Sequence, residues 1–171
     1  LAQVGKRVLL VDADVRKPML AGHFAMAGAP GLVDVLATRI TATSAICSTA
    51  VPTLSLLPAG STAQHFDREL MANGAFSGLL QEWRRQYDFI LVDSAPLLEV
   101  ADSAILSRQV DGTIFVVREQ HCRHAAVRSA LAALDSVGGT LLGTVFVGSA
   151  AQGEYGYGYD YRDSPKPAGA L

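Results

Sequence analysis

Two stretches of the chain, VLLVDAD at 8–14 and FILVDSAP at 89–96, share one plan: an unbroken apolar run that stops on an aspartate. A strand with one wet face alternates apolar and polar residues. A run of four apolar residues in a row asks for cover on both faces, which is the habit of parallel sheets flanked by helices. Such sheets bind ligands outside the carboxyl ends of their strands. Asp12 and Asp93, the residues that end the two runs, therefore fall where a ligand would sit.

The rest of the chain fits around these runs. LSLLPAG at 54–60 reads as a shorter strand stopped by Pro58 and Gly60, GTIFVVRE at 112–119 as a third strong strand, and LLGTVFVGS at 141–149 as the last. Between them, 75–86 places Phe76, Leu79, Leu80 and Trp83 on one helical face. The stretch 99–109 is helical with Val100, Ala104 and Leu106 or Ser107 near one face, and 123–139 is an amphipathic helix closed by Gly138 and Gly139. Strand alternating with helix predicts a doubly wound α/β fold with a mostly parallel sheet. The domain is expected over 1–149. From 150 to 171 the composition shifts to Gly, Tyr, Pro and charge, and that segment reads as a flexible tail. The opening LAQVGKR reads as the last turn of a helix, with Gly5 as its C′ residue. The chain is therefore expected to be a piece of a longer polypeptide.

Composition narrows the function. With 171 residues, half of them hydrophobic, the chain is long enough for one domain with a substantial core. A formal net charge of −2 gives no electrostatic footprint for nucleic acid. Cys47 and Cys122 lack metal-ligand spacing and read as reduced structural thiols of a cytosolic protein. No apolar run approaches the roughly 18 residues of a membrane helix.

Carboxylates carry the chemistry. Asp12 and Asp14 are two apart, so an extended backbone points them the same way. Asp93 joins them if the two strands are neighbours. Three convergent carboxylates attract a hard cation such as Mg²⁺, which in turn takes phosphate oxygens. Arg16 and Lys17, just past the pair, are placed to hold a phosphate. Against this stands the ordinary role of a strand-end aspartate, which is to cap a helix or turn the chain. Arg118 ends a strand at the same rim, where it either meets a nucleotide or pairs with Glu119 or Asp111. The four histidines, at 23, 65, 121 and 124, form no interpretable catalytic pattern. A glycine-rich phosphate loop, G-x-x-x-x-G-K-[ST], is missing: the one Gly-Lys pair, Gly5-Lys6, lacks the upstream glycine. The tail holds YGYGYDYR, which sets Tyr155, Tyr157, Tyr159 and Tyr161 at every second position.

Taken together, VLLVDADVRKP, FILVDSAPLLEVADSAIL, GLVDVL, LLPAG, VDGTIFVVRE and the tyrosine-rich tail resemble the bacterial tyrosine kinases of capsular and extracellular polysaccharide biosynthesis. The resemblance covers nearly the whole chain. D-x-D-x-R after a buried strand resembles their deviant second Walker motif. It implies a P-loop NTPase-like fold, here without the first strand and the phosphate loop, and transfer of the γ-phosphate of ATP to tyrosine. By position, Asp12 is the catalytic base nearest the attacking phenol, and Asp14 and Asp93 organise Mg²⁺. Arg16 completes that motif on the phosphate side, and the four tail tyrosines are acceptors. The resemblance further implies a ring-type homo-oligomer in which each tail enters a neighbour's site. It also implies a membrane-spanning chain-length regulator, fused or separate, a cognate tyrosine phosphatase, and a cytoplasmic place at the inner face of the membrane. Val147 stands where the family often carries Asn near the adenine. Without the phosphate loop, this chain alone is expected to be inactive.

Three other readings remain open at this point. A ParA- or MinD-like ATPase shares the fold group but leaves the tyrosines unexplained. A non-catalytic regulatory partner would have its tail phosphorylated by an intact kinase. A dinucleotide-binding oxidoreductase would place Asp12 on a ribose hydroxyl.

Overall fold

A computed structural model of the chain describes residues 1–60, 74–119 and 123–148. Its centre is β1, Val8–Asp12, the first of the two apolar runs. On one side β1 pairs in parallel with β3, Leu54–Leu57, and on the other with β4, Phe89–Asp93. A two-residue strand β2, Cys47–Ser48, adds antiparallel to β3, so the sheet order is β2-β3-β1-β4. Two further strands, β5 (Thr113–Arg118) and β6 (Leu141–Val147), pair in parallel as a separate sheet. The mostly parallel α/β class is as the sequence predicts.

Helices cover β1 as its composition requires. Leu9 and Val11 are fully buried among Leu32, Leu57, Phe76, Leu80, Trp83 and Leu106. Each such side chain contributes about 1.5–3 kcal/mol by leaving water. The predicted face of 75–86 forms as α4, Ala75–Trp83: Phe76, Leu80 and Trp83 are buried and Leu79 packs partly against the core. Phe76 and Trp83, seven residues and two turns apart, meet edge to face at 6.2 Å. The next two helices are α5, Ala101–Ser107, and α6, His124–Ser136. The end of α6 fits the glycines that sequence placed there. Gly138 has φ 72°, and Gly139 N–H donates to Leu134 O at 3.0 Å, which closes a Schellman turn. The opening turn is also as expected: Ala2–Val4 is a 3-10 turn stopped by Gly5 at φ 83°.

Three short helices, α1 (Leu20–His23), α2 (Leu32–Leu36) and α3 (Ala42–Ala45), lie in a stretch with too few turns to show a period. Their placement comes from loop contacts. Asp34 accepts the Gly31 N–H at 2.9 Å, and Leu32 and Val33 donate to Pro58 O and Ala59 O. A side chain at Gly31 would overlap Pro58 O and Gly60 N, so the two loops meet backbone to backbone.

One expectation fails. FILVD reads as a strand buried on both faces, yet Phe89 is 41% and Leu91 43% exposed. The cause is position: β4 is the last strand of its sheet, whereas β1 has a neighbour on each side. β5 is likewise terminal in the second sheet, and Ile114 and Val116 are more than half exposed.

Candidate active site

Asp12 is the last residue of β1 and is fully buried. Its Oδ2 accepts the Leu20 N–H at 3.2 Å, where α1 begins, and its Oδ1 has no hydrogen-bond partner. Burial disfavours the charged form, and this pushes the Asp12 pKa up to about 6. The Leu20 N–H opposes the rise, and the charge of Asp93 adds to it.

Asp93 lies directly beside Asp12 in the β1–β4 register, and Ala13 N–H donates to Asp93 O at 2.8 Å. Neighbour strands were the condition for bringing Asp93 to the pair, and they are neighbours. The Asp93 carboxyl also sits above its ordinary range. Crowding by surrounding atoms is the main cause and the Asp14 charge the second, although the residue opens to solvent.

Asp14 is half-buried in the loop after β1. Its Oδ1 accepts the N–H groups of Arg16 at 3.2 Å and Lys17 at 3.0 Å. The turn-forming role of an aspartate and a place at the rim thus coexist in this one residue. The Arg16 Nε lies 3.9 Å from Asp102 Oδ2, on the first turn of α5. Next to Asp102, the Ser103 hydroxyl donates to Ala95 O at 2.5 Å. The start of α5 therefore meets both the loop after β1 and the loop after β4. Sequence reading missed Asp102 and Ser103. Their signal was a polar pair, Asp-Ser, on a helix face that Val100 and Leu106 mark as inward.

Lys17 is exposed. Arg118 is exposed at the end of β5 and opposite Val147 in register. Asp111, one suggested partner of Arg118, pairs instead with Arg84. Tyr155, Tyr157, Tyr159 and Tyr161 lie outside the described residues, as do His65, His121 and Cys122.

Among the described residues, no group of three His, Cys, Asp or Glu side chains is arranged to hold a metal ion by itself. The charges of Asp93 and Asp14 push the Asp12 carboxyl up, and that of Asp14 pushes Asp93 up, without the three closing a cage. This suits Mg²⁺, which commonly takes one or two carboxylates and fills its shell with water and phosphate oxygens. The orphaned Asp12 Oδ1 and the mutual repulsion of the carboxylates both favour positive charge or a proton arriving there.

Comparison with known proteins gives the arrangement a context. Residues 1–138 match the family model described as an AAA domain. The chain is 30% identical over 168 residues to the tyrosine-protein kinase CpsD of Streptococcus agalactiae, covering 95% of this chain and 72% of that protein. It is 35% identical over 162 residues to EpsB of Ralstonia solanacearum, described as a putative tyrosine-protein kinase, with 95% of this chain covered. The chain spans about a fifth (21%) of the length of that relative. Among solved structures, the kinase domain of VpsO is 31% identical, with a TM-score of 0.80 over 87% of this chain and 73% of that one.

Proposed function

The chain belongs to the bacterial tyrosine-protein kinases, within the AAA-domain group, and on that premise we propose that it carries the carboxylate side of an ATP-dependent autokinase site. The acceptors are its own tail tyrosines, Tyr155, Tyr157, Tyr159 and Tyr161, presented to a neighbouring copy. The observation that carries this reading is the pairing of Asp12, buried and holding a proton to about pH 6, with Asp93 across one register step. Phosphoryl transfer asks a protein mainly for positioning and charge stabilisation. A bound Mg²⁺–ATP would supply the electrophilic phosphorus and most of the positive charge.

The chain's own residues divide the remaining work. Asp12 Oδ1, free of hydrogen bonds, takes the phenolic proton as the tyrosine oxygen attacks. A tyrosine hydroxyl has a pKa near 10, so a carboxylate within reach eases its loss. Asp14 and Asp93 hold the cation, directly or through water. Arg16, set against Asp102, faces the phosphates, and Arg118 is a second cation on that side. The 171 residues hold no glycine-rich phosphate loop to grip the triphosphate, so the chain by itself is expected to transfer no phosphate.

The kinase reading explains the tail, which a ParA- or MinD-like ATPase leaves without a purpose. It places the domain on the cytoplasmic side of a polysaccharide synthesis and export system. There its partners are further copies of itself, a membrane-spanning chain-length regulator and a phosphatase that resets the tail. Among the described residues no helix is long and apolar enough to cross a membrane. The test is mass spectrometry of the full-length parent polypeptide after incubation with ATP and Mg²⁺. Phosphate on the four tail tyrosines is expected. A tail left unmodified by a protein that does bind ATP would overturn the autokinase in favour of the regulatory partner.

A further inference from the structure

The loop after β1 is held at alternate residues. Ala13 and Val15 are buried in the core, so Asp14 and Arg16 are left to the rim side. Arg16 is then fixed at both of its ends. Its backbone N–H donates to Asp14 Oδ1 at 3.2 Å, and its Nε lies 3.9 Å from Asp102 Oδ2. An arginine side chain free in water samples many rotamers, and an anchor on its guanidinium removes most of them. Asp102 makes a firm anchor, because it is 5% exposed while the Arg16 side chain is 45% exposed. The first turn of α5, which carries Asp102, is itself tied down. The buried Ser103 hydroxyl donates to Ala95 O, two residues past Asp93. Ala13 N–H donates to Asp93 O. The contacts therefore run in a closed circuit, from β1 through Arg16, Asp102, Ser103 and Ala95 to Asp93 and back to β1.

We propose that Asp102 is a positioning residue for phosphoryl transfer: it holds Arg16 by Nε and aims the terminal nitrogens of the guanidinium at the phosphates of a nucleotide. The phosphate half of this rests on the kinase reading of the site, and the hold on Arg16 does not. The guanidinium is a flat fork of N–H donors, and the contact with Asp102 uses the nitrogen nearest the chain. The tip of the fork is left for an anion. At 3.9 Å the two groups form an ion pair too long for a hydrogen bond. Open to water on the arginine side, such a pair adds little to stability. Its use lies in direction. Phosphoryl transfer depends on placement, and a group misplaced by about 1 Å can cost about 100-fold in rate. Because Ser103 grips the loop after Asp93, the dipeptide Asp102-Ser103 sets Arg16 and the Asp93 carboxylate relative to each other.

The first measurement needs no ATP. In the nitrogen-labelled 171-residue chain, NMR follows the exchange of the Arg16 Nε–H with water. Asp102→Asn is expected to speed that exchange about 3-fold, the factor a part-exposed ion pair supports. Equal exchange in the two proteins overturns the anchor. The second measurement is a double-mutant cycle on tail phosphorylation in the full-length kinase, read as kcat/KM for ATP. Asp102→Asn is expected to lower it about 10-fold and Arg16→Gln about 10–100-fold, and the two together no further than Arg16→Gln alone. Losses that multiply mean two independent residues and overturn the positioning role. Arg16→Lys keeps the charge and loses the fork. It should hold the urea midpoint and still lose about 10-fold in kcat/KM. Full activity there would make charge alone sufficient and overturn the aiming role. Should Asp102→Asn fail to fold, Ser103→Ala carries the same tests. Freeing α5 from Ala95 should speed Arg16 exchange and shrink the effect of Arg16→Gln, and no change in either overturns the proposal. An anchored Arg16 in a full-length protein that phosphorylates no tyrosine sinks the kinase reading and leaves the hold of Asp102 on Arg16 standing.

Discussion

β1 and β4 carry nearly the same message, four apolar residues and an aspartate, and meet different fates. Leu9 and Val11 are fully buried, whereas Phe89 and Leu91 are more than two-fifths exposed. The strands differ in their neighbours: β1 has β3 and β4, and β4 has β1 alone. An apolar run thus encodes the burial of a complete sheet, and how much is realised depends on which other strands are present. The aspartates follow suit. Asp12 sits inside the wall and Asp93 on its lip.

The largest contrast should appear in catalysis. In an active full-length kinase, Asp12→Asn is expected to lower kcat by about 10²–10⁴-fold, the usual contribution of a positioned proton acceptor. Asp93→Asn should mainly raise the Mg²⁺ concentration needed for half-maximal rate. Initial rates of tail phosphorylation across a Mg²⁺ titration separate the two, and equal kcat losses with no shift in Mg²⁺ dependence would erase the distinction.

Stability comes next. Leu9→Ala should cost about 2–5 kcal/mol in urea unfolding of the 171-residue chain, because it leaves a cavity in a packed core. Leu91→Ala should cost under about 1 kcal/mol, since that side chain is already partly in water. Near-equal costs would mean that β4 is covered in solution.

The Asp12 carboxyl gives a pH signature of order 1–3 kcal/mol. Its folded pKa is raised, so the folded state keeps a proton that the unfolded chain has already lost between about pH 4 and 6. Stability from this group is complete below pH 4 and lost as pH rises through 6. In buffer with EDTA, Asp12→Asn should therefore unfold at higher urea than the native chain at pH 7.5 and lose that advantage near pH 4. Gly31→Ala, which sets a methyl against Pro58 O and Gly60 N, should cost about 1–3 kcal/mol at any pH. The smallest effect belongs to the exposed Arg7–Asp88 pair at 2.9 Å: Arg7→Ala should leave the urea midpoint in place.

These contrasts also explain what the sequence made legible. Strand limits, the inward face of α4 and the glycine end of α6 are written in local periodicity and in residues with special backbone freedom. So is the meeting of Asp12 with Asp93, because two like strands in a parallel sheet align their ends. The exposure of β4 is not legible, since strand order is a property of the assembled sheet and FILVD reads the same at an edge as in the middle. Asp102 escaped because its tie to Arg16 joins positions 86 residues apart (102 − 16). The short helices α1–α3 escaped because one turn has no period.

Asp14 has one oxygen committed to the amides of Arg16 and Lys17. In the proposed site a single carboxylate therefore serves both the fold of its loop and the charge offered to a cation. Asparagine separates the two offices: its amide oxygen can still accept those N–H groups, and its charge is gone. A loop that keeps its shape in Asp14→Asn while the cation leaves would show that the motif's second aspartate is there for its charge, and that its geometry could have been had from a neutral residue.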